Sequence, residues 1–240
     1  MLIAGKPLIV WVAERAAAAS TISRVIVATD DARIFDAANA AGFDAAITRA
    51  DHLSGTDRVA EVAHNLRAEI VVNLQGDEPL IDPATIDRAV NALLDDPSAP
   101  MATTCEPIND VSDAMNPSVV KVTIDEHGYA TGFSRKPIPS QNQAVAKYSS
   151  IESSPDESGL LFSFRKHTGL YAYRREFLLQ FASWPPSMAE REESLEQLRA
   201  LDRGVKIRVV EAASPSISVD TIEDLERVRA IVERDMRVPA

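Results

Sequence analysis

Two adjacent acids that follow a short apolar run are the clearest sign of chemistry in this chain. Residues 70–74 have the composition of a buried strand, and Gly76, Asp77 and Glu78 come directly after it. Pro79 then prevents the strand from continuing. Ligands of an open α/β sheet lie outside the carboxyl ends of its strands, so Asp77 stands where Mg²⁺ and a nucleotide phosphate could meet. An acid-rich solvated turn is the alternative, and an isolated G-D-E-P would favour it.

A second acid in a similar position is Asp220, which ends the segment S-I-S-V-D-T (residues 216–221) before a predicted helix. Taken alone, such a residue is more often a helix N-cap than a ligand. Both roles can coexist, because one carboxylate oxygen can accept a backbone N–H while the other faces a metal. If Asp77 and Asp220 meet at one edge of the sheet, they form a two-carboxylate Mg²⁺ site completed by phosphates and waters. Such a site suits nucleotidyl transfer, in which the metal offsets charge on the α-phosphate and the departing pyrophosphate.

Residues 48–58 (T-R-A-D-H-L-S-G-T-D-R) form a third group that could bind a ligand. Ser54, Gly55 and Thr56 stand at the start of a predicted helix, where free backbone N–H groups suit polar ring edges and hydroxyls. A capped loop explains the same residues equally well, with Ser54 or Thr56 as the N-cap. The spacing alone leaves both interpretations open.

Several cations are grouped in an otherwise acidic chain: Lys121, Arg135, Lys136, Lys166 and His167. Arginine can hold a carboxylate through two parallel hydrogen bonds, so an acidic sugar is a reasonable ligand. The alternative is a set of surface Lys and Arg side chains with a histidine at a strand edge. That alternative holds for at least some of them.

A stripe of polar residues is expected on one predicted helix, residues 190–201. Spacings of three and four place four side chains on a shared face: Glu190, Glu193, Glu196 and Gln197. Such a stripe is usually solvated, although a site for sugar hydroxyls would use the same geometry.

The composition is that of an ordinary soluble globular protein. The 240 residues, 45% of them hydrophobic and 25% charged, suffice for one large domain or one domain with an appended lobe. A net charge of -11 argues against a nucleic-acid surface, because phosphate backbones are bound through an excess of Lys and Arg. Four histidines and the single Cys105 provide neither a Cys/His metal cluster nor a disulfide framework. No apolar run approaches the ~20 residues of a membrane span, so a cytoplasmic enzyme is expected.

The hydrophobic pattern alternates between helices and strands up to about residue 106, which predicts parallel βαβ units in a Rossmann-like, mainly parallel α/β sheet. Short strands joined by turns then predict a β-rich insertion, with a polar surface loop after it. The chain is therefore expected to form one domain, residues 1–240, with an inserted lobe at about 101–166. Predicted strands are 24–28, 45–48, 70–74, 102–105, 119–124, 129–133, 167–173 and 205–210. Predicted helices are 7–18, one closing near residue 42, 56–66, 83–94, 175–181, 190–201 and 221–235, and the loop is 140–158.

The motifs and their order resemble the 3-deoxy-manno-octulosonate cytidylyltransferase family, the CMP-Kdo synthetases. The resemblance extends over nearly the whole chain and rests on independent segments. They are G-K-P-L-I (5–9), I-V-A-T-D (26–30), T-R-A-D-H-x-S-G-T-D-R (48–58), N-L-Q-G-D-E-P (73–79), N-P-x-x-V-K-V (116–122), F-S-R (133–135), K-H-x-G-L-Y (166–171), L-E-Q-L-R (195–199) and V-D-T-x-E-D-L-E-R-V (219–228).

The resemblance implies an activity in bacterial lipopolysaccharide assembly. CMP would be transferred from CTP to the anomeric hydroxyl of 3-deoxy-D-manno-octulosonate (Kdo), with release of pyrophosphate and a requirement for Mg²⁺. The implied fold is of the nucleotidyltransferase type, and the implied assembly is a homodimer formed through the β-rich lobe. Neither a nucleic acid nor a membrane is an expected partner.

The resemblance also implies roles for individual residues. Asp77 and Asp220 would be the catalytic pair that holds Mg²⁺. The cytosine and ribose would be received by Arg49, Asp51, Ser54 and Gly55. The Kdo pocket would be lined by Gln75, Arg135, His167, Tyr171, Glu196 and Gln197, with Arg135 facing the Kdo carboxylate.

The family pattern also contains a strand and a basic loop, I-P-A-R-x-x-S-x-R-L-P-x-K, ahead of the segment that corresponds to Gly5. This chain begins at Met1, after that position, so the loop that would cradle the triphosphate and the first strand of the sheet are expected to be missing. Three interpretations follow: a CMP-Kdo synthetase whose natural start lies upstream, a non-catalytic relic of the family, or a cytidylyltransferase for another sugar acid. Retention of Asp77, Asp220 and the sugar-pocket residues favours the first.

Overall fold

The structure is a computed structural model that describes residues 1–108, 110–136 and 164–237. Its strands are β1 (Leu2–Ile3), β2 (Lys6–Pro7), β3 (Ile26–Thr29), β4 (Asp44–Ile47), β5 (Ile70–Asn73), β6 (Met101–Pro107), β7 (Lys121–Ile124), β8 (Ala130–Ser134), β9 (Arg165–Arg174) and β10 (Ile207–Glu211). Its helices are α1 (Leu8–Ala17), α2 (Ala32–Ala40), α3 (Gly55–Ala63), α4 (Pro83–Asp95), α5 (Val111–Met115), α6 (Arg175–Ala182), α7 (Met188–Glu193), α8 (Leu198–Leu201) and α9 (Ile222–Arg237).

Six strands form one mixed sheet around β9. One edge of β9 pairs with β6 in antiparallel fashion, and β10 extends the sheet beyond β6 in parallel. The other edge of β9 pairs first with β7, where Lys166 lies opposite Lys121, and then with β5, where Tyr171 lies opposite Asn73. β8 continues the sheet beyond β7 as a hairpin. One long strand therefore joins the end of β5 to the β7–β8 hairpin.

A bulge interrupts β9 between the parts that pair with β7 and β5. Along β6 the register passes from Thr103, opposite Tyr171, to Thr104, opposite Thr168, so β9 contains two extra residues, the first of which is Gly169. In the described part of the chain, the register of neither β5 nor β7 reaches these residues. Bulges bend a strand and redirect its side chains. The result is an opening in the sheet beside the end of β5.

Helices cover both faces of this sheet. On one face, α4 contributes Ile86 and Leu93 to a cluster with small residues of β6 and β9. On the other face, Phe177 and Phe181 of α6 lie 6.5 and 6.2 Å, between ring centres, from Tyr173 of β9. Aromatic pairs of this kind stabilise a core beyond the area that they bury. A helix-covered sheet confirms the predicted α/β class, and the pairing of its strands is mixed.

The first part of the chain forms the βαβ unit that the pattern predicts. β3 and β4 are parallel, with Ile26 opposite Asp44, and α2 connects them. Asp31 caps α2 by accepting a hydrogen bond from the Arg33 N–H at 2.8 Å. In the described ranges these two strands form a sheet of their own.

The predicted β-rich region is present in part. The strands expected at 102–105, 119–124 and 129–133 correspond to β6, β7 and β8, and all three belong to the same sheet as β5 and β10. The loop expected at 140–158 lies outside the described residues. The boundaries of a separate lobe at about 101–166 stay a prediction.

The single helix predicted over residues 190–201 is wrong. Ser194 has φ 54° and ψ 46°, a left-handed conformation that ends α7, and α8 begins only four residues later. Three- and four-residue spacing does not reveal such a break, because serine rarely adopts this conformation. The side chains expected on one helical face are therefore divided between α7 and the segment that follows it: Glu190, Glu193, Glu196 and Gln197.

Cys105 is buried in β6, and burial raises the pKa of its thiol to about 11. Among the helices that the structure describes, none combines the length and the apolar character that a membrane crossing requires.

An ion pair holds α7 against α8. Arg199, whose side chain is 5% exposed, donates to Glu190 from Nε at 2.8 Å and from Nη2 at 2.6 Å. The guanidinium also donates to the Trp184 carbonyl at 2.9 Å and lies 4.8 Å from the centre of the Phe181 ring. The pair therefore fixes the segment between the two helices, residues 194–197.

Replacing Arg199 with alanine should lower the free energy of unfolding by about 3–5 kcal/mol, because the buried Glu190 carboxylate loses its partner. The matched control is Arg191→Ala in the same segment, where the side chain is exposed, and it should change stability by less than about 0.5 kcal/mol. Urea unfolding of both variants measures the difference. A loss of under about 1 kcal/mol in Arg199→Ala, the value of an exposed pair, would contradict this role.

Candidate active site

The two aspartates singled out in the sequence lie next to each other beyond the carboxyl end of β5. The Val219 N–H donates to the Asp77 carbonyl at 2.9 Å, which brings Asp220 beside the turn that follows β5. Thr221 caps α9, because its hydroxyl accepts a hydrogen bond from the Asp224 N–H at 3.1 Å. The Asp220 carboxylate is exposed and does not serve as the cap.

The electrostatics of this pair suit a cation. Burial raises the pKa of Asp77 above its usual value, and the nearby charge of Asp220 raises it further, while a hydrogen bond from Ser218 acts in the opposite direction. A divalent cation held by both carboxylates would offset their repulsion and the cost of burial. In the described ranges, no group of three or more His, Cys, Asp or Glu side chains could enclose a metal. The pair therefore fits Mg²⁺, which takes one or two carboxylates together with phosphates and waters.

A second group of charges fixes the segment before Asp220, and the sequence analysis named its members Glu78 and Lys166 but not Glu106. The Ser216 N–H donates to Glu106 at 3.1 Å, and the Ser216 hydroxyl donates to Glu78. Lys166 lies 3.7 Å from Glu106, between side-chain N and O. Burial raises the pKa of Glu78, and the charges of Asp77 and Glu106 add to that effect. These contacts attach the segment before Asp220 to the sheet.

A chain of buried hydrogen bonds starts at the last residue of β5. The Asn73 side chain, 1% exposed, donates from Nδ2 to the Thr56 hydroxyl at 3.0 Å, and its Oδ1 accepts from Gln75 Nε2 at 3.3 Å. Thr56 in turn donates to Glu196 Oε1. Gln75 occupies the opening beside the β9 bulge, since a Cβ on Gly169 would lie 3.7 Å from Gln75 Cγ. The chain thus links the ends of β5, α3 and α7 around one opening.

Two buried polar atoms at this opening lack partners. Glu196 Oε2 and Gln197 Nε2 make no hydrogen bond within the part of the chain that the structure describes. Burial raises the pKa of Glu196, although hydrogen bonds from Thr56 and Ser54 and the charge of Arg199 favour the ionised form. Buried polar groups are nearly always paired in folded proteins. An unpaired acceptor and an unpaired donor on consecutive residues could therefore bind a ligand that carries hydroxyl groups.

His167 contributes an acceptor nitrogen to the same region. The Thr103 hydroxyl donates its only proton to the Leu170 carbonyl at 2.8 Å, so it accepts from His167 Nε2 at 2.9 Å. This network assigns the proton of the neutral ring to Nε2 and leaves Nδ1 as the acceptor. Burial, with a further effect from the charge of Arg135, lowers the pKa of His167 to about 3. The ring packs against Tyr171 at 5.4 Å between ring centres.

Arg135 lies beyond the end of β8 and is held by α7. Its backbone N–H donates to Glu193 Oε2 at 3.0 Å, and its Nε donates to the Glu193 carbonyl at 3.1 Å. The buried Lys121 donates from Nζ to the Asn116 carbonyl at 2.6 Å and to the Arg135 carbonyl at 3.4 Å. The backbone and Nε of Arg135 are therefore fixed. The charge of Arg135 is close enough to His167 to influence the pKa of that ring.

The segment at residues 48–58 divides into an exposed half and a half that meets the opening. Arg49 and Asp51 form an exposed pair, with Arg49 Nη2 at 2.7 Å from Asp51 Oδ2. Ser54 is the N-cap of α3, so the capped-loop interpretation holds for it. Gly55 faces Gln75, because a Cβ at this glycine would lie 3.4 Å from Gln75 Oε1.

The structure thus brings most of the named residues to two neighbouring places. The aspartates form one place, and the other contains Gly55, Gln75, His167, Tyr171, Glu196 and Gln197, with Ser54 and Arg135 beside it. Arg49 and Asp51 are bound to each other at the surface. Sequence reasoning missed the supporting residues Asn73, Thr103 and Glu106. Of these three, only Asn73 could have been identified from the sequence, because it is the polar first residue of the segment N-L-Q-G-D-E-P.

Comparison with known proteins gives one consistent family. A family model described as "Cytidylyltransferase" matches residues 1–207. The 3-deoxy-manno-octulosonate cytidylyltransferase of Geobacter sulfurreducens is 50% identical over 226 residues, which cover 94% of this chain and 89% of that protein. The protein of the same name from Pseudomonas syringae pv. tomato is 51% identical over 235 residues, covering 96% and 90%.

Solved structures give the same result. The structure of CMP:2-keto-3-deoxy-manno-octonic acid synthetase complexed with CTP matches with a TM-score of 0.85 and 42% identity, covering 98% of this chain and 91% of that one. A 4-diphosphocytidyl-2C-methyl-D-erythritol synthase from Anaerococcus prevotii matches with a TM-score of 0.61 at 15% identity, which shows a shared fold alone.

The His167 ring should stay neutral throughout the pH range of activity assays. Because its pKa is about 3 when folded and about 6.5 when unfolded, the unfolded chain alone binds this proton between those values. The contribution of His167 to stability is therefore present above about pH 6.5 and is lost as the pH falls toward 3.

NMR of the imidazole ¹³C–¹H signals from pH 5 to 8 measures this titration, and the variant His167→Gln assigns the signal. A His167 signal that moves with a midpoint near pH 6.5 would contradict the enclosed, Thr103-bonded ring.

Proposed function

The chain belongs to the 3-deoxy-manno-octulosonate cytidylyltransferase family, and we propose from this premise that it transfers CMP from CTP to Kdo. In this reaction an oxygen of the Kdo anomeric hydroxyl forms a bond with the α-phosphorus of CTP. The bond from that phosphorus to the β-phosphate oxygen breaks, and pyrophosphate leaves. The relatives carry the name of this activity, and a solved structure at 42% identity is a complex with CTP.

The observation that carries the proposal is the unpaired donor and acceptor at the opening in the sheet. Glu196 Oε2 would accept from one sugar hydroxyl, and Gln197 Nε2 would donate to a sugar oxygen. His167, with Nε2 committed to Thr103, would add an acceptor at Nδ1. A polyhydroxylated ligand supplies both donors and acceptors, whereas an apolar ligand would leave all three groups unpaired.

Arg135 would bind the carboxylate that distinguishes a sugar acid from a neutral sugar. The two Nη groups of the Arg135 guanidinium face a carboxylate best, because the backbone N–H and Nε are used by Glu193 and Nη1 has only a long contact, 3.5 Å, to the Ser118 carbonyl. Lys121 would act through Arg135, since it holds the Arg135 carbonyl. A cation at this point also attracts an anionic ligand into a protein of net charge -11.

The nucleotide would lie between the aspartate pair and the start of α3. Asp77 and Asp220 would hold Mg²⁺, which when bound neutralises charge on the α-phosphate and the leaving pyrophosphate. Ser54 and Gly55 would face the ribose and cytosine near the sugar opening. Arg49 and Asp51 would exchange their mutual pairing for contacts with the nucleotide, at little cost because exposed ion pairs contribute little stability.

The other interpretations drawn from the sequence are not favoured. The named relatives share the Kdo activity rather than transfer to another sugar acid, and a chain that kept only the fold would have no need of the buried unpaired atoms. The upstream start that the first interpretation assumes stays a prediction.

We also propose an oligomeric state and a cellular compartment for this protein. We expect a homodimer formed through residues at about 101–166, of which 137–163 lie outside the described ranges. We also expect the protein in the cytoplasm.

Light scattering after gel filtration tests the dimer. We expect a mass near twice 26.1 kDa, and the mass of a monomer would contradict the dimer.

Replacing Asp77 with asparagine should lower the rate of Kdo-dependent pyrophosphate release by roughly 100-fold or more, since one of two anionic metal ligands is lost. Asp36→Asn is the matched control, because Asp36 is an exposed acid of α2, and its activity should equal the wild type. Calorimetric titration with Kdo alone should give unchanged affinity in both variants. Wild-type turnover in Asp77→Asn, or equal losses in both variants, would contradict the metal role.

A further inference from the structure

The hydrogen bonds between Asn73, Thr56 and Glu196 can run in only one direction if Glu196 is ionised. A carboxylate accepts and does not donate, so the single proton of the Thr56 hydroxyl must lie on Glu196 Oε1. Thr56 Oγ1 then serves as acceptor for Asn73 Nδ2, at 3.0 Å. Because Asn73 Nδ2 faces Thr56, its Oδ1 faces Gln75 and accepts from Nε2 at 3.3 Å.

The direction of this chain decides what the opening offers to a ligand. The Thr56 proton and one N–H of each amide point inward, toward Glu196, so Glu196 Oε2 stays an acceptor with no proton of its own. Gln75 Nε2 gives one of its two protons to Asn73, and Gln75 Oε1 lies beside Gly55. At this end of the chain the opening therefore presents an acceptor to a hydroxyl donor, while Gln197 Nε2 is a donor. Reversal of the chain would need a protonated Glu196 and would present a donor instead.

The surroundings of Glu196 show why it needs this support. Burial raises its pKa and the charge of Asp57 adds to that effect, so the ionised form depends on the hydrogen bonds of Thr56 and Ser54 and on the charge of Arg199. Ser54 caps α3 as an acceptor, which leaves its hydroxyl proton for Glu196, whereas Arg199 bonds Glu190 with two nitrogens. Thr56 makes the direct hydrogen bond to Glu196 Oε1.

We propose that Asn73 and Thr56 are positioning residues for the acceptor sugar, which they serve by holding Glu196 ionised with Oε2 free to accept a sugar hydroxyl. This role rests on the proposed function, since it concerns the Kdo side of the same site. Neither residue contacts the ligand: Thr56 is 1% exposed and Asn73 is 1% exposed. Their effect passes through Glu196 to the affinity for Kdo and leaves the nucleotide side unchanged.

The test compares Thr56→Val, which keeps the shape of the side chain and removes the hydroxyl, with Thr56→Ser, which keeps the hydroxyl. Loss of a hydrogen bond to a buried charge should raise KM and Kd for Kdo roughly 10- to 100-fold in Thr56→Val. KM for CTP should stay within about threefold of the wild type, and Thr56→Ser should restore the Kdo affinity to within about threefold. Steady-state kinetics and calorimetric titration with Kdo provide both constants.

The matched control is Thr85→Val, at a fully buried threonine of α4 whose hydroxyl accepts from the Ala213 N–H at 2.9 Å. It removes a buried hydroxyl away from the opening and should leave KM for Kdo unchanged. Asn73→Asp provides a second, isosteric variant in case Thr56→Val does not fold. Its new carboxylate competes with Glu196 for the single Thr56 proton, so the same loss of Kdo affinity is expected.

The outcomes separate this inference from the proposed function. A wild-type protein that turns over Kdo, with a Thr56→Val or Asn73→Asp variant of wild-type KM for Kdo, would overturn the positioning role alone. Equal increases in KM for both substrates, or an equal effect of Thr85→Val, would also overturn it, because a loss of general stability would then be the cause. A wild-type protein that neither binds nor uses Kdo would overturn the proposed function and this inference together.

Discussion

The burial of a carboxylate that is only half satisfied is the constraint on which the rest of the site depends. Removing an ionised group from water costs several kcal/mol unless hydrogen bonds and opposite charges replace the lost hydration. Hydrogen bonds from Thr56 and Ser54 and the charge of Arg199 favour ionised Glu196, yet its Oε2 has no partner within hydrogen-bond distance in the described part of the chain. The β9 bulge opens the sheet at this point, and the left-handed Ser194 lets the segment after α7 reach it.

The site has two parts of different charge, and each part suits one of the two substrates of a reaction that joins a sugar to a nucleotide. The charge of Asp220 raises the pKa of Asp77, and a cation that accompanies a triphosphate would offset this repulsion. The other end combines Arg135 with neutral His167 and the amides of Gln75 and Gln197, which suit a polyhydroxylated acid. Glu106 of β6, bonded to Ser216, attaches the segment before Asp220 to the same sheet that carries His167 on β9.

Local signals predicted much of this structure. Pro83 marks the predicted start of the helix at 83–94, and α4 begins there. The rule that ligands gather at the carboxyl ends of strands singled out Asp77, and the structure places Asp220 beside it, whereas their role as metal ligands stays a prediction. Antiparallel pairing of β9 was not predictable, because periodicity identifies a strand and not the direction of its neighbours. The break at Ser194 and the bonds of buried Thr56 depend on contacts distant in sequence, which spacing does not contain.

The central claim is that this site joins CMP to Kdo, and ³¹P NMR of the protein with CTP, Kdo and Mg²⁺ tests it most directly. The account predicts that the three CTP signals decline together while one phosphodiester signal and one pyrophosphate signal appear in equal amounts, and only when Kdo is present. CTP that stays unchanged with Kdo, or that is consumed at the same rate without it, would contradict the claim.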